Sequence, residues 1–149
     1  MKNQNTRTLK LAALGLTAFH FLTVVLHSVA HQVLAVRASG AQLAFIVPVI
    51  IIGPPLAGFM LPKFNRAGAA LLIASMLGSF AFGLYYHFIA DTIDHVSHVA
   101  RLQPASWSQM FQLTSYLLAV SEILCAAVAA LFLAGLSQPF KHYAARTDF

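Results

Sequence analysis

The stretch LKLAALGLTAFHFLTVVLHSVAHQVLAV, residues 9–36, decides the fold. It has a single charged side chain, Lys10, no acid and no proline, and it exceeds the roughly 20 apolar residues needed to cross the hydrocarbon core of a bilayer. Such a run reads as a transmembrane helix. Three histidines interrupt it, and their positions are not scattered. At about 100° per residue, His20, His27 and His31 fall within roughly 40° of one another, so one face of the helix carries an imidazole stripe. Ionisable groups at membrane depth are costly and mark functional sites by default.

The rest of the chain repeats the apolar theme. Of its 149 residues, 59% are hydrophobic and only 9% are charged, whereas about a quarter are charged in soluble domains. Mean hydropathy is +0.76. Helices are expected at about 9–36, 41–61, 67–98 and 108–136. Their short connections predict a single integral membrane domain over 1–149, an all-α, antiparallel bundle of four transmembrane helices.

Positive charge orients the bundle. Lys2, Arg7 and Lys10 precede the first helix, Lys63 and Arg66 lie between the second and third, and Lys141 and Arg146 follow the fourth. The other two connections carry only Arg37 and Arg101. Both termini are therefore expected in the cytoplasm, with Trp107, Tyr85 and Tyr86 near the outer interface. The net charge of +5 is accounted for by topology and anionic lipid, and no basic patch supports nucleic-acid binding. A multi-pass protein of a bacterial inner membrane fits this reading. The chain is small for a complete transporter, so a homo-oligomer or a larger membrane complex is expected around it.

The N-terminus imitates a secretory signal, with a basic start and small residues at Ser28-Val29-Ala30. The apolar run continues to Val36, however, and His20 and His27 would be foreign to a signal's core. An uncleaved first helix is the expectation; cleavage would leave three helices.

A second polar stripe follows in the third segment. His87, Asp91, Asp94, His95 and His98 lie within about 100° of arc if the helix continues through them. Rise along the helices sets His27 and His31 level with His87 and Asp91 near the outer face, and Glu122 of the descending fourth helix near the level of His20. Imidazole and carboxylate together are the ligands of zinc, iron, manganese and copper(II), and i, i+4 spacing lets two side chains reach one ion. His27, His31, His87 and Asp91 are accordingly the expected ligands of a divalent transition metal. His20, Asp94, His95, His98 and Glu122 are further ligands or groups that orient them. Transport, delivery or support of a redox complex would suit such a site, and the sequence does not decide whether the chain is an enzyme.

Two other readings compete. A b-type haem could be clamped by His27 and His87 as axial ligands in an electron-transfer subunit. Alternatively the chain is a structural membrane subunit without a cofactor. In that case His20 and Glu122 form a hydrogen-bonded pair that fixes helix register, and Asp94, His95 and His98 are solvated groups at a helix end. Pro48, Pro54 and Pro55 predict a kinked or locally unwound second helix around Ile52-Gly53-Pro54-Pro55. Broken helices of this kind expose carbonyls to ions in transporters. Gly15, Gly68, Gly78 and Gly83, with Ser75 and Ser79, offer small packing faces. Cys125, the only cysteine, excludes an intrachain disulfide. No nucleophilic triad or phosphate-binding loop is present.

Overall fold

The computed structural model describes residues 2–137, so Lys141, His142 and Arg146 lie outside the described residues. Helix α1 spans Lys2–Val33. It stops where the chain turns back on itself: Ala35 adopts φ 55°, and the amide of Val36 donates to the carbonyl of His31 at 3.0 Å. This is the hydrogen bond of a helix terminator normally built around glycine. An alanine there carries the strain of the left-handed region, about 1 kcal/mol. The turn leaves the Val36 carbonyl facing the last turn of α1, which matters for the site.

The second span, Gly40–Met60, begins at a capping box. Ser39 accepts from the Gln42 amide at 3.2 Å, and Gln42 Oε1 accepts from the Ser39 amide at 2.6 Å. Helix α2, Gly40–Phe45, passes into a π-helical segment, Ile46–Ile52, and then into α3, Gly53–Met60. The expected interruption at the prolines is a widening and not a break. Rings at Pro54 and Pro55 would clash with carbonyls one turn earlier, and a turn with one extra residue moves those carbonyls aside. The Gly53 amide accordingly donates to the Pro48 carbonyl, five residues back.

Helix α4, Asn65–Leu84, continues as a second π-helical segment, Tyr85–Ile89. The helix ends there, because Ala90 turns to φ −77°, ψ 136°. The expected continuation to residue 98 is replaced by a loop and the short helix α5, Val96–Val99. Helix α6, Ala105–Ser137, completes the described chain.

Helix α6 packs against both α1 and α4, while α3 closes the ring by packing on α4 and on α1. Lys10 Nζ donates to Asn65 Oδ1 at 3.2 Å, and Arg66 reaches the Leu136 carbonyl at 3.5 Å. The start of α1, the start of α4 and the end of α6 therefore share one end of the bundle, and neighbours run antiparallel. That end is packed through small residues, Ala13, Ala57, Ala69, Ala126 and Ala129, around Leu72, Met76 and Phe132. Small side chains let backbones approach, which is how helices associate without a hydrophobic drive. A Cβ on Gly68 would stand 2.6 Å from the Leu61 nitrogen, whereas one on Gly15 would meet nothing within 4 Å. At the opposite end Ala30, Leu34, Val36, Val99 and Phe111 form a second cluster.

All four spans, Gln4–Val33, Gly40–Met60, Asn65–Ile89 and Ala105–Leu136, are long and apolar enough to cross a membrane. Their outward faces are apolar too: Phe59 is 82% exposed, Ile89 64% and Leu22 63%. Such a skin suits hydrocarbon and not water.

Candidate metal centre

His27 and His31 are one helical turn apart on α1, and both project over Phe111 of α6. His87, in the π-helical turn after α4, comes to the same place from across the bundle. Its ring centroid is 5.0 Å from that of His27 and 6.0 Å from that of His31. One ligand nitrogen from each of the three lies within 4.8 Å of the others. His27 and His87 are buried, and His31 is half-buried. Phe111, fully buried, packs against all three rings with centroids 4.6–5.4 Å away.

The hydrogen bonds to Nδ1 determine which nitrogen is free. His31 Nδ1 lies 2.9 Å from the Val36 carbonyl, and His87 Nδ1 lies 3.0 Å from the Asp94 carbonyl. A carbonyl can only accept, so both Nδ1 atoms carry the hydrogen. His27 Nδ1 lies 2.9 Å from Thr114 Oγ1. That hydroxyl also has carbonyl acceptors of its own, Met110 at 2.7 Å and Phe111 at 3.0 Å, and when its hydrogen points to either it accepts from His27. His31 and His87 are fixed as Nδ1–H tautomers with lone pairs on Nε2, and His27 joins them when Thr114 donates along its own helix. Holding a ring through its far nitrogen is the usual way proteins orient metal-binding histidines.

The consequence is electrostatic. With His27 in the Nδ1–H form, its Nε2 faces His31 Nε2 at 3.2 Å with no hydrogen between them. Two lone pairs at that distance repel unless a cation sits between them. With metal–nitrogen bonds of about 2.05 Å, tetrahedral ligand nitrogens are about 3.3 Å apart, so this pair already has metal-ligand spacing. The third imidazole needs to close by at most about 1.5 Å to reach the same spacing.

Asp91 is not part of this cluster. Its carboxylate is 92% exposed and pairs with His98 Nε2 at 3.3 Å. The i, i+4 relation to His87 fails because the helix ends at Ile89, between the two residues. Asp94 is buried and contributes differently: its backbone carbonyl orients His87, one side-chain oxygen lies 3.4 Å from Gln42 Nε2, and Oδ1 has no partner among the described residues. His95 caps α5, with Nδ1 2.8 Å from the Ser97 hydroxyl, and His98 Nδ1 donates to the Thr92 carbonyl at 2.7 Å. These two histidines organise the exposed loop. Thr114 and the Val36 carbonyl, which orient His27 and His31, carry no signal in the sequence.

A cavity of about 500 Å³ adjoins the trio. Arg37 and Asp94 line one part of it, His27, His31 and His87 another, and Ser115, Leu118, Ala119 and Glu122 form its α6 wall. Glu122 accepts a hydrogen bond from the Ser79 hydroxyl and lies 3.9 Å from His20 Nδ1. His20 and Glu122 are therefore neighbours at one depth, but no hydrogen bond joins them, and Ser79 holds the carboxyl instead.

Comparison of the chain with protein-family models, with curated proteins and with solved structures gave no match.

Proposed function

We propose that this chain is a polytopic membrane protein that binds a divalent transition metal through Nε2 of His27, His31 and His87, near the outer end of the bundle. One observation carries the reading: three imidazoles are each held through Nδ1, and one ligand nitrogen from each lies within 4.8 Å of the others. A proton could bridge His27 and His31 alone, but a third nitrogen within reach suits a metal ion. Three imidazoles leave one coordination position open, and the adjoining cavity gives that position room for water or a passing ligand.

The cavity favours metal passage or delivery over a closed structural site, since a structural ion is normally enclosed by four protein ligands. Haem is the weaker reading. The rings of His27 and His87 meet edge to face at 5.0 Å, without a flat slot between them for a macrocycle. The distribution of Lys and Arg supports both termini on the cytoplasmic side of a bacterial inner membrane, so the trio would face outward. We also expect the bundle to work as an oligomer or within a larger membrane complex.

Metal analysis of the purified protein, with a visible spectrum, tests the proposal. Near-stoichiometric zinc, copper, iron or manganese without a Soret band is expected, and should be lost in a His27→Ala, His31→Ala, His87→Ala triple variant. Full retention of metal by a folded triple variant would overturn it, as would a Soret band.

A further inference from the structure

Below the trio the bundle holds a second group of polar side chains, and these are not satisfied by one another. His20 is completely buried, and neither of its ring nitrogens has a hydrogen-bond partner among the described residues. Buried polar groups are nearly always paired, and each exception calls for a cause. Glu122 is 3% exposed and stands 3.9 Å from His20 Nδ1, too far for a hydrogen bond but close enough for both to contact one small cation. Ser79, on a third helix, donates its hydroxyl to the Glu122 carboxylate. Helices α1, α4 and α6 thus each send one polar side chain to the same level.

Glu122 links this group to the outer site. Glu122 lines the same cavity as His27, His31 and His87, on the wall formed by Ser115, Leu118 and Ala119. Seven residues separate His20 from His27 on α1, and eight separate Glu122 from Thr114 on α6. Either interval is about 10–12 Å along a helix axis. A cation released by the trio would find its next oxygen and nitrogen donors at Glu122 and His20. Beyond them Thr17, Cys125 and Ala13 are packed together, with Thr17 Oγ1 3.6 Å from Cys125 Sγ.

We infer that Glu122 and His20 form an inner binding station for the same divalent cation, one step deeper than the histidine trio and reached through the shared cavity. This rests on the reading of the trio as a metal site. On binding a cation Glu122 would give up its proton and bring the station a charge that neutral imidazoles lack. One nitrogen, one or two carboxylate oxygens and cavity water make a weaker and less selective ligand set than three imidazoles. Such a gradation suits a resting place along a path.

Cobalt(II) titration of the full-length protein in lipid nanodiscs tests this, because its visible spectrum reports the ligand set. The wild type is expected to bind about two equivalents, the tighter with the strong visible bands of a tetrahedral, imidazole-rich site. Glu122→Gln keeps the carboxylate's shape, and His20→Asn removes the facing nitrogens. Each should bind about one equivalent, with the tight-site spectrum unchanged, which also shows that the variant has folded. A single equivalent in the wild type, or a second equivalent surviving in both variants, would overturn the inner station while leaving the trio intact. Loss of both equivalents in both variants would also overturn it, by showing one coupled site. Absence of any bound cobalt in the wild type would instead refute the reading of the trio.

Discussion

Nε2 of His31 faces Nε2 of His27 at 3.2 Å, and each ring is held through its other nitrogen, by the Val36 carbonyl and the Thr114 hydroxyl respectively. Such a pair, with His87 beside it, is a place that could hold a metal ion. Orientation of the rings by Thr114, by Val36 and by Asp94 is what makes the place specific, and the expected behaviour follows from those supports.

Thr114→Val removes the hydroxyl bonded to His27 Nδ1 while keeping the side-chain shape. Metal affinity should fall about 10–100-fold, the usual cost of removing a group that orients a ligand. Competition against a chelator of known affinity measures the change. An affinity within twofold of wild type would mean that the ring is held by packing on Phe111 alone.

Asp91→Asn should leave metal affinity within about twofold, because its carboxylate is exposed and turned toward His98. The same titration reads the outcome. A loss of tenfold or more would show that the loop folds over the trio when metal binds.

Protons and metal compete for the same lone pairs. Occupancy should thus be complete in neutral or alkaline medium and fall in acid. Up to three protons displace one ion, so the fall should be steeper than that of a single titrating group. An occupancy that does not change with acidification would point to ligands other than histidine.

Gly68→Ala would drive a methyl group to 2.6 Å from the Leu61 nitrogen, against backbone that cannot swing aside. Destabilisation of about 1–3 kcal/mol is expected, measured by unfolding in mixed detergent. Gly15→Ala has open space around it and should be neutral or slightly stabilising. Equal effects at the two positions would contradict the packing of α3 against α4.

Orientation can be read with a thiol reagent that cannot cross membranes. In a Cys125→Ser background, Ser39→Cys should label from outside intact cells, and Lys63→Cys only after permeabilisation. The reverse pattern would invert the proposed topology.

Much of this site can be read in the sequence, and the part that cannot has a common cause. His27 and His31 are visible because i, i+4 spacing survives in any regular helix, and His87 is visible through its depth. The His20 and Glu122 pair is legible for the same reason, since antiparallel helices fix relative height. Asp91 misleads because the period assumed for the third span fails at Tyr85, where the turn widens, and then ends at Ala90. The contributions of Val36 and Asp94 are made by backbone carbonyls, which have no residue signature. Ala35 hides the end of α1 because that position usually announces itself with glycine.

The widened turn at Tyr85–Ile89 sets how the third imidazole is addressed. In a uniform α-helix one residue fewer would separate the hydrogen-bonded partners Tyr85 and Ala90, and everything beyond would be rotated by about 100°. His87 reaches its partners through a local change of gauge in the chain and not through its place in the helical repeat. A one-residue deletion inside this turn, even of a side chain that touches nothing in the cluster, would aim the imidazole elsewhere, and lengthening by one would do the same. The centre should tolerate many substitutions at Tyr85, Tyr86 and Phe88 and almost no change in their number.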